Sequence, residues 1–280
     1  MTLSTTPSFK PKTAMVLAAG LGKRMRPITS TIPKPLVEIR GKALIDYGLD
    51  ALARNGVERV VVNVHYMADL MRAHLRKRKD MEIIVSDEQD ELLDSGGGIV
   101  KALPELGSEP FYVINSDTFW IDGYRDNLDL MAHLWNPARM DMSLLIADMQ
   151  QATGYDGKGD FVMDVEGRLT RVEERDMSPF IYAGVAIMKP EIFAGMKPEK
   201  FSLNRVFDDL IDAARACGLA ACGSRSERPA RSRLRRPPSS PAPPPDNVRS
   251  HQRFTVAKQT DRLAEHLFVF ALRGLPLSLF

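Results

Sequence analysis

Short unbroken apolar runs, separated by stretches of helical period, restrict the fold of this 280-residue chain more than any other feature. Residues 14–19 form one such run, ended by glycine, and read as a strand buried on both faces. Residues 59–65, 81–86 and 111–114 repeat the pattern. Between them, residues 43–55 and 68–79 place apolar side chains at helical spacing, with Gly56 stopping the first helix, and residues 99–103 continue a short helix behind a glycine triplet. Strand and helix alternating in this way predict an α/β chain whose mostly parallel sheet carries helices on both faces.

Past Trp120 the spacing predicts a helix near residues 125–135 and a strand over 142–147. From Gly159 to Lys189 short strands (DFVMD, GRLTRVEE, FIYAGVAIM) are broken by turns, which predicts an antiparallel extension beside the site. Residues 204–216 read as an amphipathic helix. The character then changes. Residues 223–250 hold seven Arg, seven Pro and six Ser, too little apolar surface to order a segment. One domain over 1–222 with a disordered tail over 223–280 is therefore expected.

Composition matters mainly for what it excludes. The tail carries ten Arg and one Lys against four acids, which leaves −5 on residues 1–222 of a total of +2. A mildly acidic body does not suit a general nucleic-acid binder, and the Arg/Pro/Ser-rich stretch over 223–250 has no interleaved aromatics on which bases could stack. Cys217 and Cys222 have no second pair, so neither a disulfide framework nor a zinc knuckle is expected, which suits a reducing cytoplasm. The first residues lack an apolar signal region, and no run approaches the roughly 20 apolar residues of a membrane helix.

The first strand runs into LAAGLGKRMRPITSTIPKP, Leu17 to Pro35. Gly20 and Gly22 remove the Cβ atoms that keep a ligand away from backbone N–H groups, Lys23, Arg24 and Arg26 add charge, and the PKP turn aims Lys34. The stretch predicts an anion site. A dinucleotide fingerprint would need glycine where Met25 stands, and no P-loop sequence is present. Asp117, the acid of the NSD that follows the strand over 111–114, lies where ligands of open α/β sheets collect, and a carboxylate there suits a hard divalent ion. His65, after another strand, reads as a structural histidine, and the RKRK run ending at Lys79 as a solvated helix end.

This stretch resembles the signature of the sugar-nucleotide pyrophosphorylases, nucleotidyltransferases that join a nucleoside triphosphate to a sugar 1-phosphate. Further motifs of that family follow in order: LLDSGGGI, NSD, VEE and YAGV, so the likeness covers roughly residues 12–216. The resemblance implies a Rossmann-like three-layer αβα sandwich and Mg²⁺ as cofactor, held by Asp117. It implies that Ala18, Ala19, Gly20, Gly22, Ser95, Gly96 and Gly97 bind the nucleotide. Arg24 and Lys23 would hold the departing pyrophosphate, Lys34 would meet the sugar phosphate, and Asn115, Gly159, Glu174 and Gly184 would bind the sugar. Among subfamilies the motifs are most similar to those using UTP and N-acetylmuramate 1-phosphate, with GTP and mannose 1-phosphate as runner-up.

Two departures accompany the likeness. Many relatives carry a lysine after the paired glutamates, where this chain has Arg175. The family also continues past the NRVFDDL helix into a strand whose aspartate precedes a valine-glycine-threonine turn and completes the metal site. Residues 217–280 contain no match, and a replaced segment from a shifted reading frame is the simplest account. A nucleotide-binding protein with little turnover would be the consequence if that carboxylate is indispensable.

Overall fold

The computed structural model describes residues 9–149, 152–153, 157–172 and 177–220, together with the backbone of 268–270. Four parallel strands form its centre: β1 (Thr13–Leu17), β4 (Arg59–Val64), β5 (Glu82–Asp87) and β6 (Phe111–Asn115), in the spatial order β5-β4-β1-β6. The chain leaves β1 toward β4 and β5 on one side, then returns to place β6 on the other. The crevice beyond the carboxyl ends of β1 and β6 is thus a topological switch point, where open α/β sheets bind ligands.

The sheet continues through antiparallel β12 (Phe180–Met188), then β8 (Met142–Asp148), and finally β13 (Ala216–Ala220) parallel to β8. The other half of β12 pairs with β10 (Phe161–Met163), which pairs with β11 (Leu169–Arg171), giving the antiparallel extension expected of residues 159–189. Gly184 marks a register shift in β12 opposite β8 and holds φ +73°.

Alternation along each strand builds two cores. Ala14, Val16, Val60, Val62, Tyr112 and Ile114 face one side, where they meet Leu49 and Leu52 of α1 (Leu44–Arg54), Met71 of α2 (Ala68–Leu75) and Met131 of α4 (Asn127–Leu134). Met15, Val61, Phe111 and Val113 face the other, against Ile99 and Leu106 of α3 (Asp94–Leu106) and Val206 and Phe207 of α5 (Asn204–Asp212). This is the three-layer sandwich.

Differences from the sequence reading are local. The glycine triplet lies inside α3, which starts at Asp94. α5 stops at Asp212, and Ala216, expected to end that helix, instead begins β13. The cause is long-range: β8 has an open edge, and Asp141 at its start receives Arg215 Nε at 2.8 Å and Nη2 at 2.8 Å, with Lys189 Nζ at 2.7 Å. That clamp draws the chain out of the helix and into the sheet. Two short strands before α1, β2 (Glu38–Ile39) and β3 (Lys42–Ala43), make a hairpin. A separate small sheet joins β7 (Thr118–Trp120) and β9 (Ala152–Thr153) through β14 (Phe268–Phe270), the stretch of the expected tail whose backbone is described. No helix among the described residues is long and apolar enough to cross a membrane.

Candidate active site

Two adjoining cavities open at the switch point. The larger, about 430 Å³, is lined by Ala19, Gly20 and Leu21 after β1, by Asn115, Ser116 and Asp117 after β6, and by Lys34, Asn63, Leu92, Asp94, Ser95 and Lys200 among others. The second, about 310 Å³, shares Gly20, Leu21, Lys34 and Asp117 and adds Gly22, Lys23 and Arg24.

The loop after β1 is held from below. Gly22 adopts φ +60°, and a Cβ there would sit 3.1 Å from Thr29 Cγ2 and 3.2 Å from Lys34 Cβ. Thr29 is fully buried; its hydroxyl donates to the Gly22 carbonyl at 2.7 Å, and its own carbonyl accepts from Tyr66 Oη at 3.0 Å. Gly20 has open space around its Cα, which leaves the backbone accessible to a guest. The single turn over Lys23–Met25 buries Met25 and exposes Lys23 and Arg24, neither of which has a side-chain partner among the described residues. Two unpaired cations on an anchored loop favour an anion.

Lys34 and Asp117 are the polar centre shared by both cavities. Their side chains, 12% and 30% exposed, form an ion pair of 2.6 Å. Ser116 secures the strand end beside them, both its N–H (3.1 Å) and its hydroxyl (2.7 Å) donating to the Leu17 carbonyl.

A buried polar network missed by sequence reasoning underlies the larger cavity. The Ala18 N–H donates to Asn63 Oδ1 at 2.7 Å, Asn63 Nδ2 donates to Glu88 Oε1 at 2.7 Å, and Glu88 Oε2 accepts from the Leu93 N–H at 3.1 Å. Glu88 is 1% exposed. The network ties the ends of β1, β4 and β5 to the start of α3. Gly98 makes room for it, since a Cβ would lie 2.7 Å from Glu88 Oε1. Its one trace in the sequence is Asn63, a lone amide inside an apolar strand. His65 has the structural role expected, its Nδ1 lying 2.6 Å from the Glu88 carbonyl.

Of the residues singled out from the sequence, Ala19, Gly20, Gly22, Lys23, Arg24, Lys34, Ser95, Asn115 and Asp117 line these cavities. Others do not. The Ala18 N–H is taken by Asn63, and the N–H groups of Gly96 and Gly97 point to the Phe201 carbonyl at 3.0 and 3.4 Å. The glycines at 96 and 97 accommodate a neighbouring segment: a Cβ would lie 2.1 Å from the Phe201 ring at Gly96 and 2.0 Å from the Glu199 carbonyl oxygen at Gly97. Gly159 packs on Ser178 and Gly184 on Thr118, and neither lines these two cavities; Glu174 lies outside the described residues.

A switch-point crevice, a glycine loop with exposed cations and a carboxylate past a strand end suit a phosphorylated ligand. The chain belongs to the nucleotidyl transferase family, whose sequence model matches residues 13–198. It is 45% identical over 220 residues to an N-acetylmuramate alpha-1-phosphate uridylyltransferase of Caulobacter vibrioides, spanning 77% of this chain and 91% of that one. Against a protein of the same name from Neisseria meningitidis serogroup B the identity is 32% over 186 residues, 66% of this chain and 78% of the other. In fold it is similar to the inositol-1-phosphate CTP transferase from T. maritima, with a TM-score of 0.61 and 22% identity over 76% of this chain and 86% of that one.

Proposed function

We propose that the chain transfers a uridylyl group from UTP to N-acetylmuramate 1-phosphate, giving UDP-N-acetylmuramate and pyrophosphate. The observation that carries the reading is the pair of adjoining cavities sharing Gly20, Leu21, Lys34 and Asp117, one of them bearing Lys23 and Arg24, which have no side-chain partner among the described residues. Similarity to two uridylyltransferases supports the choice of base and sugar. GTP with mannose 1-phosphate is the competing pair.

A sugar 1-phosphate is largely dianionic near neutral pH, because its second pKa is about 6, so its oxygen needs no strong general base. That oxygen forms a bond to the α-phosphorus of UTP. The bond from the α-phosphorus to the bridging oxygen of the β-phosphate breaks, and pyrophosphate leaves with the electron pair. Two anions must approach, and negative charge builds on the leaving group, so fixed cations and backbone donors dominate. In this reading Lys23 and Arg24 take the pyrophosphate, the backbone at Gly20 meets the triphosphate, and Lys34 exchanges Asp117 for the sugar phosphate. Asn115 adds a sugar contact.

The residues present fit Mg²⁺. Asp117 offers a hard oxygen donor at the junction of the two cavities, while the described residues contain no group of three metal-ligating side chains. An ion that takes one or two carboxylates and fills its shell with phosphate oxygens and water suits such a site. When bound, it would supply positive charge that offsets the negative charge of the substrate phosphates.

The test is pyrophosphate release with Mg²⁺, crossing UTP, GTP, CTP and dTTP with the 1-phosphates of N-acetylmuramate, glucosamine, mannose and glucose. Release confined to UTP with N-acetylmuramate 1-phosphate is expected. Preference for GTP with mannose 1-phosphate would replace this reading, and a folded but silent protein would leave a nucleotide binder.

A further inference from the structure

We infer that Lys200, which no motif singles out, reads a carbonyl of the nucleotide base; the inference rests on the nucleotidyl-transfer reading above. Lys200 lines the larger cavity and is exposed, with no hydrogen bond or ion pair among the described residues. Its backbone, by contrast, is pinned. Phe201 N–H donates to the Leu93 carbonyl at 3.2 Å, Gly96 N–H to the Phe201 carbonyl at 3.0 Å, and Leu203 N–H to Ser95 Oγ at 2.9 Å. Gly96 and Gly97 lack the Cβ atoms that would push Phe201 and Glu199 away. These contacts straddle Lys200, so its Cα is held at the wall of the cavity while its ammonium stays free.

The cavity has a direction. Gly20, Leu21, Lys34 and Asp117 also belong to the neighbouring cavity with Lys23 and Arg24, whereas Leu92, Asp94, Ser95 and Lys200 do not. A nucleotide whose triphosphate lies on the glycine loop therefore extends its base toward the second group. There Leu92 supplies apolar surface and Lys200 a charged donor. Asp94, held at φ +61° with Oδ1 accepting the Ser95 N–H at 2.6 Å, keeps Oδ2 available as an acceptor. A donor and an acceptor on one wall match the O=C–N–H edge of uracil. Cytosine places an amino group where uracil has its O4 carbonyl, so the ammonium would face a second donor, and an unpaired polar group in a site built for a partner discriminates strongly.

The experiment compares full-length wild type with Lys200→Met and Lys200→Arg, measuring nucleotide affinity by calorimetry and kcat/KM for pyrophosphate release. A hydrogen bond to a charged group predicts that Lys200→Met loses about 10- to 100-fold in affinity and kcat/KM for UTP. CTP, lacking the O4 carbonyl, should change little, and the KM for sugar phosphate should stay within about 2-fold of wild type by the same logic. Lys200→Arg should recover part of the loss. Should wild type prefer GTP, the uridylyl reading fails while Lys200 is still tested, now against the O6 carbonyl of guanine. Unchanged nucleotide affinity and unchanged UTP/CTP preference in Lys200→Met would overturn the inference, as would a loss confined to the sugar phosphate.

Discussion

Arg24 and Tyr182 represent opposite uses of a polar side chain. Arg24 is exposed on an anchored loop and has no side-chain partner among the described residues, so its removal disturbs no packing there. Arg24→Ala should reduce kcat by about 100- to 1,000-fold, the range for losing one aimed electrostatic group, while the melting temperature stays unchanged; pyrophosphate release and calorimetry on the same preparation check both. Tyr182, on β12, turns its ring edge-on to Phe207 at 5.3 Å, and its hydroxyl is buried without a partner among the described residues. Burial accordingly raises its pKa. Tyr182→Phe removes an uncompensated polar atom and keeps the ring, so stability should hold or rise by up to about 1 kcal/mol. A clear fall in denaturant midpoint would mean that the hydroxyl has a partner, such as a bound water. Neither property could be read from residue type alone: the arginine was legible through its glycine-rich neighbours, while the tyrosine looked like one more strand residue.

At the scale of elements, α3 and β13 are held by contacts from far along the chain. Glycine in a helix interior is usually replaced by alanine with a gain of about 1 kcal/mol. In α3 the sign should invert. Gly97→Ala would drive a Cβ to 2.0 Å from the Glu199 backbone oxygen, which cannot rotate away, whereas at Gly96 the obstacle is the half-buried Phe201 ring. Gly97→Ala should therefore destabilise by about 1–3 kcal/mol and Gly96→Ala by less, and urea melts of the pair rank them. At β13, the Arg215 guanidinium beside Asp141, helped by Lys189, draws the Asp141 carboxyl down to about 2. A depressed carboxylate contributes stability that is full above its unfolded pKa near 3.9 and is lost as pH falls from about 4 through 2. Asp141→Asn should flatten the stability curve in that window and cost on the order of 2 kcal/mol at neutral pH, as read by denaturant melts from pH 2 to 7.

For the whole molecule, the core residues among those described end at Cys217. A chain truncated after Cys222 should thus keep a single cooperative transition, which tests the proposed division at residue 222. If its melt broadens or splits, segments beyond that point belong to the cooperative unit. The same full-length protein should gain about 2.7 kcal/mol with UTP and Mg²⁺ at a hundred times the dissociation constant, because only the folded state assembles the crevice.

By itself the sequence determined the layers, the glycine-rich basic loop and the position of Asp117, because each is written in neighbouring residues: unbroken apolar runs beside segments of period 3.6, glycines among cations, and an acid two residues past a buried strand. Tertiary structure alone decided that residues 216–220 join the sheet, since that depends on an open edge at β8 and on Asp141, more than 70 residues earlier. It also decided what the glycine triplet is for. Those glycines admit the Phe201 segment and the Asn63–Glu88 network rather than offering their N–H groups to a ligand, and in doing so they hold Lys200 at the cavity wall. Local pattern encodes which face of an element is buried; what it is buried against depends on surfaces that exist only once distant strands have paired.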